Sequence, residues 1–220
     1  IVLLAADGSS IVKTIEKAND AGIPVITVNR SVAGGRVLRS YSDDKEAGRM
    51  QGEYMAAHLP PNAKIVYLQG DGTQSSAVGR WEGFKEACLD KRSDIQLLSF
   101  VDAGWSKAEA LKTMSLWMSM FPEINGVVAG NDEMALGAVA ALKGANRLEG
   151  CLVTGVDATP SGLAAVAAGE MVQAIKQDAK RQGEGALALA EGFLKGSPPS
   201  GDMAVPFTSI TRDNAAQAAN

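Results

Sequence analysis

The chain has 220 residues, 46% of them hydrophobic, which is enough to bury a sizeable core in one or two domains. A formal net charge of -4 without any basic block argues against nucleic acid as a partner, and no apolar run reaches the ~18 residues of a membrane span. Aromatics make up only 5% while glycine is plentiful at 24 residues, as in α/β proteins whose helices pack closely on their sheets.

Residues 1–6 read as a strand ending at Asp7-Gly8; Ser9 or Ser10 then caps a helix with Ile11, Val12, Ile15 and Ala18 inward, closed by Gly22. Residues 24–28 form the next strand, ending at Asn29-Arg30. After a Gly34-Gly35 turn, residues 36–41 form a weaker strand ending at Ser42-Asp43-Asp44. A helix over 46–59 follows, carrying Ala47, Met50, Tyr54 and Met55 on one face and stopped by Pro60-Pro61. His58, the only histidine, lies in its last turn, where the helix dipole favours it as a surface residue.

A second series of units begins with a strand over 64–68 that ends at Gln69-Gly70-Asp71-Gly72. The helix after it places Val78, Trp81, Phe84 and Cys88 inward. A strand over 95–101 ends at Asp102-Ala103-Gly104-Trp105, and Ser106 with Glu109 forms a capping-box pattern for a helix reaching Met120. Val127, Val128 and Ala129 then form a short buried strand that stops at Gly130. The helix after it has apolar positions Met134, Ala135, Ala138, Val139 and Leu142. Asp132 is placed to accept from the first free amides of that helix, which leaves Asn131 at the strand end with a side chain that donates and accepts. Residues 152–156 form a strand ending at Asp157. Thr159-Pro160 opens a helix with proline at its first position, and residues 171–175 form a strand ending at Gln177-Asp178. A Gly/Ala-rich helix to about Leu194, a Ser197-Pro198-Pro199-Ser200 loop and a strand over 204–210 complete the chain. Cys88 and Cys151 lack metal-ligand spacing and are expected as buried free thiols.

Strands alternating with helices argue for parallel sheets covered by helices on both faces, where ligands bind beyond the carboxyl ends of the strands. Nearly every strand here ends in an amide or an acid: Asp7, Asn29, Asp43, Gln69, Asp102, Asn131, Asp157 and Gln177. Each could simply cap the next helix. Asn131 and Asp157 stand out because Asp132 and Thr159 are available to cap after them. Asp accepts two hydroxyl protons, Arg30 donates a planar fork, and Trp105, one residue before the cap Ser106, offers a flat face for the C–H side of a ring. The set suits a neutral polyol such as a sugar. Gly70-Asp71-Gly72 imitates a dinucleotide fingerprint, yet its third glycine position is Ser75 and Asp71 would repel a pyrophosphate. No nucleophile elbow, phosphate loop or His/Cys cluster is present, so the expectation is a binding protein without cofactor or metal, and not an enzyme.

Residues 22–30 (GIPVITVNR), 80–84 (RWEGF), 127–142 (VVAGNDEMALGAVAAL) and 155–166 (GVDATPSGLAAV) resemble the ribose-type periplasmic sugar-binding proteins, which deliver small solutes to ABC transporters. The resemblance runs through essentially the whole chain. It implies the type I periplasmic binding protein fold: two doubly wound parallel-sheet lobes joined by three crossings, with the ligand between them. The crossings would fall near Ser42-Asp43, Gln177-Asp178 and Thr208-Ser209, the first two serving as hinges for closure. The lobes would be residues 1–42 plus 178–208 and residues 43–177 plus 209–220. It places Asn29, Arg30, Trp105, Asn131, Asp157 and Gln177 at the ligand. Ribose binders carry Asp where Asn29 stands and Arg where Val78 stands; Arg80 matches a neighbouring arginine of the pattern. Asn29-Arg30, Trp105-Ser106, the run from Asp157 to Pro160 and Gln177-Asp178-Ala179 look more like the inositol-binding branch, with a hexose or pentose as the competing ligand.

Family members open with two further βα units, and Ile1 corresponds to their third strand, so roughly 60–80 residues would be missing from the first lobe. The implied expectation is an incomplete N-terminal lobe and weak solute binding by these residues alone. No signal peptide is visible, and residue 1 already lies in an apolar strand, so the resemblance alone implies a periplasmic, or exported and lipid-anchored, location. Implied partners are a permease and a chemoreceptor, with the protein monomeric. Two other readings stand beside this one: the effector domain of a lactose-repressor-type transcription factor, which shares the fold, and a nucleotide-dependent α/β enzyme.

Overall fold

The computed structural model describes residues 1–218; the last two residues of the expected second lobe, 219 and 220, lie outside the described residues. Strand and helix alternate as β1 (Val2–Leu3), α1 (Val12–Asp20), β2 (Ile26–Val28), β3 (Leu38–Tyr41), α2 (Asp44–His58), β4 (Lys64–Gln69) and α3 (Ser75–Phe84). A π-helical turn, Lys85–Leu89, continues α3. Then come β5 (Gln96–Asp102), α4 (Lys107–Met120), β6 (Gly126–Ala129), α5 (Asp132–Gly144), β7 (Leu152–Asp157) and α6 (Pro160–Ala168). β8 (Gln173–Lys176), α7 (Ala179–Leu194), β9 (Met203–Ala204), β10 (Thr208–Ile210) and α8 (Ala215–Ala218) complete the order. No helix among the described residues is long and apolar enough to cross a membrane.

Two compact units result. The first comprises Ile1–Asp43, Thr73–Ser76 and Asp178–Phe207; the second comprises Asp44–Gly72, Ala77–Gln177 and the segment that begins at Thr208. The first unit holds a four-stranded parallel sheet in the order β1-β2-β3-β9. Successive side chains of a strand point to opposite faces. Val25 accordingly packs with Ile15 and Ala18 of α1, while Ile26 packs with Ala186 and Leu189 of α7.

The second unit holds a six-stranded sheet in the order β10-β8-β7-β6-β4-β5, parallel except for β10. Val66, Leu68, Val127, Ala129 and Val153 face a core with Met114 and Trp117 of α4 and Met134, Ala138 and Leu142 of α5. Ile65, Tyr67 and Val128 face the other side, against Met55, Phe84 and Cys88. From β4 the chain proceeds to one neighbour, β5, and then continues on the other side with β6, β7 and β8. The switch point therefore lies between β4 and β6, where open α/β sheets form their ligand crevices. Helices α2 and α3 touch through bare backbone: a Cβ on Gly48 would stand 1.9 Å from the Arg80 carbonyl oxygen, and one on Gly83 1.9 Å from that of Lys45. Gly48 and Gly83 together thus let α3, which carries Arg80, seat against the start of α2.

Several local expectations need correction. The first strand is only Val2–Leu3, because it pairs with β2 over two residues and Leu4 already points to solvent. No serine side chain caps α1; Asp7 Oδ1 instead accepts from the amides of Ser9 and Ser10, and Ile11 occupies the cap position. Val78 is 40% exposed rather than inward, since the buried face of α3 runs through Ala77, Arg80 and Phe84. The single strand expected over 204–210 is two, β9 and β10 in different sheets, separated at Pro206, which has no amide hydrogen for a ladder. Cys88 and Cys151 are buried free thiols, as expected, and burial pushes them up to about 11 and about 12. His58 is exposed, donates Nδ1–H to the Tyr54 carbonyl at 2.8 Å and stacks on the Tyr54 ring.

Candidate functional site

At the carboxyl ends of β6, β7 and β8, one guanidinium ties the chain together and to the start of α2. Arg80, with a side chain only 4% exposed, donates Nε–H to Asp44 Oδ1 at 2.9 Å. Its Nη1 donates to the Gly130 carbonyl at 2.6 Å and lies 3.9 Å from Asp157 Oδ1, and its Nη2 donates to Gln177 Oε1 at 3.1 Å. Its charge also sits 5.5 Å from the centre of the Trp105 ring. Sequence reasoning matched Arg80 to a family arginine without seeing this role, and did not single out Asp44. The available signal was the glycine pair Gly48 and Gly83, where a Cβ would strike the backbone of the facing helix.

Trp105 is presented by a left-handed pair, Gly104 at φ 58° and Trp105 at φ 62°. Its ring packs against the chain after β4 and β6: a Cβ on Gly70 would be 2.2 Å from ring atoms, and one on Gly130 3.3 Å. Asp102 builds the support, accepting from Gly72 N–H and Gly104 N–H, each at 2.8 Å. The loop amide of Gly72 is thereby occupied from within.

The carboxyl of Asp157 is pushed up to about 6, chiefly by burial; Arg80 opposes this, while Asp44 and Glu133 add to it. The residue sits at φ 112°, followed by Ala158 at φ 54°. Thr159 caps α6, accepting from Gly162 N–H at 3.0 Å, with Pro160 at its first turn. Asp157 is therefore not needed as a cap. At Asn131 the expectation fails in part. Asn131, not Asp132, caps α5, its Oδ1 accepting from Met134 N–H at 2.9 Å. The residue is 8% exposed, and the cap uses its Oδ1 alone. Asp132 turns away to Thr159, its Oδ2 accepting from the amide at 2.7 Å and the hydroxyl at 3.1 Å.

Arg80 thus brings Trp105, Asp157 and Gln177 together, with Asn131 following the Gly130 carbonyl it holds. Asn29 and Arg30 belong to the first unit, at the carboxyl end of β2. Asn29 has φ 66° and donates its amide to the Ser40 carbonyl at 2.9 Å. Arg30 Nη1 donates to the Ala5 carbonyl at 3.3 Å. Among the described residues no cluster of three or more His, Cys, Asp or Glu could hold a metal ion.

The doubly wound sheet of the second unit thus gathers carboxylate, amide and indole groups at the carboxyl ends of its strands. The chain belongs to the periplasmic binding protein domain family, whose pattern matches residues 1–198. It is 33% identical over 216 residues to a xylitol-binding protein of Mycolicibacterium smegmatis, covering 97% of this chain and 61% of that protein. It is 32% identical over 197 residues to a ribose import binding protein of Salmonella typhimurium, covering 89% of this chain and 66% of that one. The chain therefore spans less than two thirds of the length of these curated relatives. A solved ABC transporter solute-binding protein from Bacillus halodurans with bound myo-inositol superposes with a TM-score of 0.92 at 30% identity, covering 100% of this chain and 76% of that one. The type I fold is shown by that match, and these relatives are solute-binding proteins, not enzymes.

Proposed function

We propose that this chain is part of the solute-binding component of a sugar ABC transporter, and that its ligand is a small neutral polyol, either a monosaccharide or a cyclitol such as myo-inositol. The observation that carries the reading is the Arg80 cluster. A carboxylate and a primary amide, anchored by one buried guanidinium, stand beside an indole face. Vicinal hydroxyls need paired acceptors and donors, and a ring needs an apolar plate for its C–H face. Asp157, Gln177 and Asn131 Nδ2 supply the first and Trp105 the second; Asn29 and Arg30 are assigned to the same ligand by the family resemblance. The relatives' ligands, xylitol and myo-inositol, belong to this chemical class, and ribose is a pentose of the same kind. The family further supports a periplasmic location and a membrane permease as partner.

A thermal-shift screen of the complete protein against ribose, xylitol, myo-inositol, D-allose and a nicotinamide dinucleotide tests the reading. One polyol should raise the melting temperature in a concentration-dependent manner while the dinucleotide leaves it unchanged. Stabilisation by the dinucleotide alone, or by no polyol, overturns it.

A further inference from the structure

Asp132 is the first residue of α5, yet its carboxyl does not serve that helix. Both hydrogen bonds of Oδ2 run to Thr159, at the start of α6. The residue is fully buried, and two glycines shape the space around it: a Cβ on Gly155 would stand 2.5 Å from Oδ1, and one on Gly162 2.1 Å from Oδ2. Oδ1 has no hydrogen-bond partner among the described residues. Burial pushes the carboxyl up to about 7, with the nearby Asp157 charge reinforcing the rise and the Thr159 bonds and Arg80 opposing it. A buried carboxyl with an unpartnered oxygen is unfavourable for the fold alone. Its two bonds end one residue after the strained stretch Asp157-Ala158, at φ 112° and 54°, where L residues stay only if the surroundings over-determine the backbone.

We propose that Asp132 is the positioning residue for Asp157: by clamping Thr159 it holds the 157–158 backbone in the conformation that aims the Asp157 carboxyl toward Arg80 and the solute. The proposal rests on the solute-binding reading above and deepens it by naming what sets the geometry of its principal acceptor. Upstream, β7 fixes the chain up to Asp157 through its pairing with β6 and β8. Downstream, the double tether on Thr159 fixes it again, so only Asp157 and Ala158 are left to carry the turn. A cap residue alone would not specify this, because Thr159 caps α6 whichever way the preceding peptide runs.

Carboxyl-carbon NMR titration of Asp157 reads its position without any ligand, since its elevated value depends on the buried place next to Arg80, Asp44 and Glu133. In the complete protein, Asp157 should titrate near 6 in the parent and in Asp132→Asn, whose carboxamide oxygen can accept both Thr159 bonds. In Asp132→Ala it should return toward the ordinary carboxylate range. Thr159→Val and Thr159→Ser form a second pair that decides the matter should Asp132→Ala fold poorly: the valine variant, which loses the 3.1 Å hydroxyl bond and keeps the 2.7 Å amide bond, should lower the Asp157 value part of the way, and the serine variant should restore it. An unchanged Asp157 titration in folded Asp132→Ala or Thr159→Val overturns the proposal, as does an Asp132→Asn that behaves like the alanine variant. The solute-binding reading fails separately, if Asp157→Ala leaves polyol affinity unaltered while the titration results stand.

Discussion

Replacing Arg80 with methionine keeps most of the length of the side chain and removes its charge and all its donors. Asp44 then loses its 2.9 Å ion pair at a site where the two side chains are only 4% and 10% exposed. The Gly130 carbonyl loses a 2.6 Å donor and Gln177 Oε1 a 3.1 Å donor. Breaking a buried ion pair from one side costs about 3–5 kcal/mol, and hydrogen bonds to a charged group contribute ~1.5–3 kcal/mol each, though not additively. The expected loss is therefore about 3–5 kcal/mol, a large part of the ~5–15 kcal/mol that holds a domain folded. Urea denaturation monitored by far-UV circular dichroism reads it, with Asp44→Asn and the double variant completing a cycle. The double variant should be more stable than the sum of the two losses predicts, by at least ~1 kcal/mol. Because Arg80 opposes the upward shift at Asp157, that carboxyl should also titrate higher in Arg80→Met. A loss under ~1 kcal/mol, or strictly additive effects, would refute the idea that this guanidinium organises the strand ends.

Three further outcomes follow from the same geometry. Gly70→Ala would set a methyl group 2.2 Å from the Trp105 ring, so the indole should be displaced, with altered tryptophan fluorescence and a stability loss of about 1–3 kcal/mol by denaturant titration. Asn131→Ala removes the cap of α5 and should lower stability by about 0.5–2 kcal/mol, while Asn131→Asp, which still accepts from Met134 N–H, should lose less. For Asp132, the folded value of about 7 lies above the ordinary carboxylate value of 3.8, so the folded chain holds that proton more tightly than the unfolded one. Its stabilising share is full below about pH 4 and is lost as pH rises through about 7. Denaturation midpoints across pH 4–8 should fall in the parent and flatten in Asp132→Asn; equal slopes would show that this carboxyl is not the group responsible.

What could be read from the sequence divides by distance along the chain. The caps at Ser106 and Thr159 were legible because the acceptor and its amide lie three residues apart, at Glu109 and Gly162. The alternation of Ile65, Val66, Tyr67 and Leu68 likewise declared a strand buried on both faces. Asn131 and Asp132 could not be sorted this way. Either could cap α5, and the choice is made by Thr159, 27 residues on, which takes the Asp132 carboxyl. Arg80 was invisible as an organiser for a similar reason. Its partners at Asp44, Gly130, Asp157 and Gln177 converge only after four strands have been placed side by side. Val78 reads as inward from its apolar character, but the buried face of α3 is set by its glycine-mediated contact with α2.

Asp157, held beside Arg80, is proposed to accept hydroxyl protons from a small polyol. Titration calorimetry of the complete protein and its Asp157→Ala variant, with the polyol that most raises the melting temperature, tests it most directly. Loss of a charged acceptor should weaken binding by about 2–4 kcal/mol, a fall in affinity of roughly 30- to 1,000-fold, while the variant still melts cooperatively. Equal affinities for the parent and the variant would contradict it.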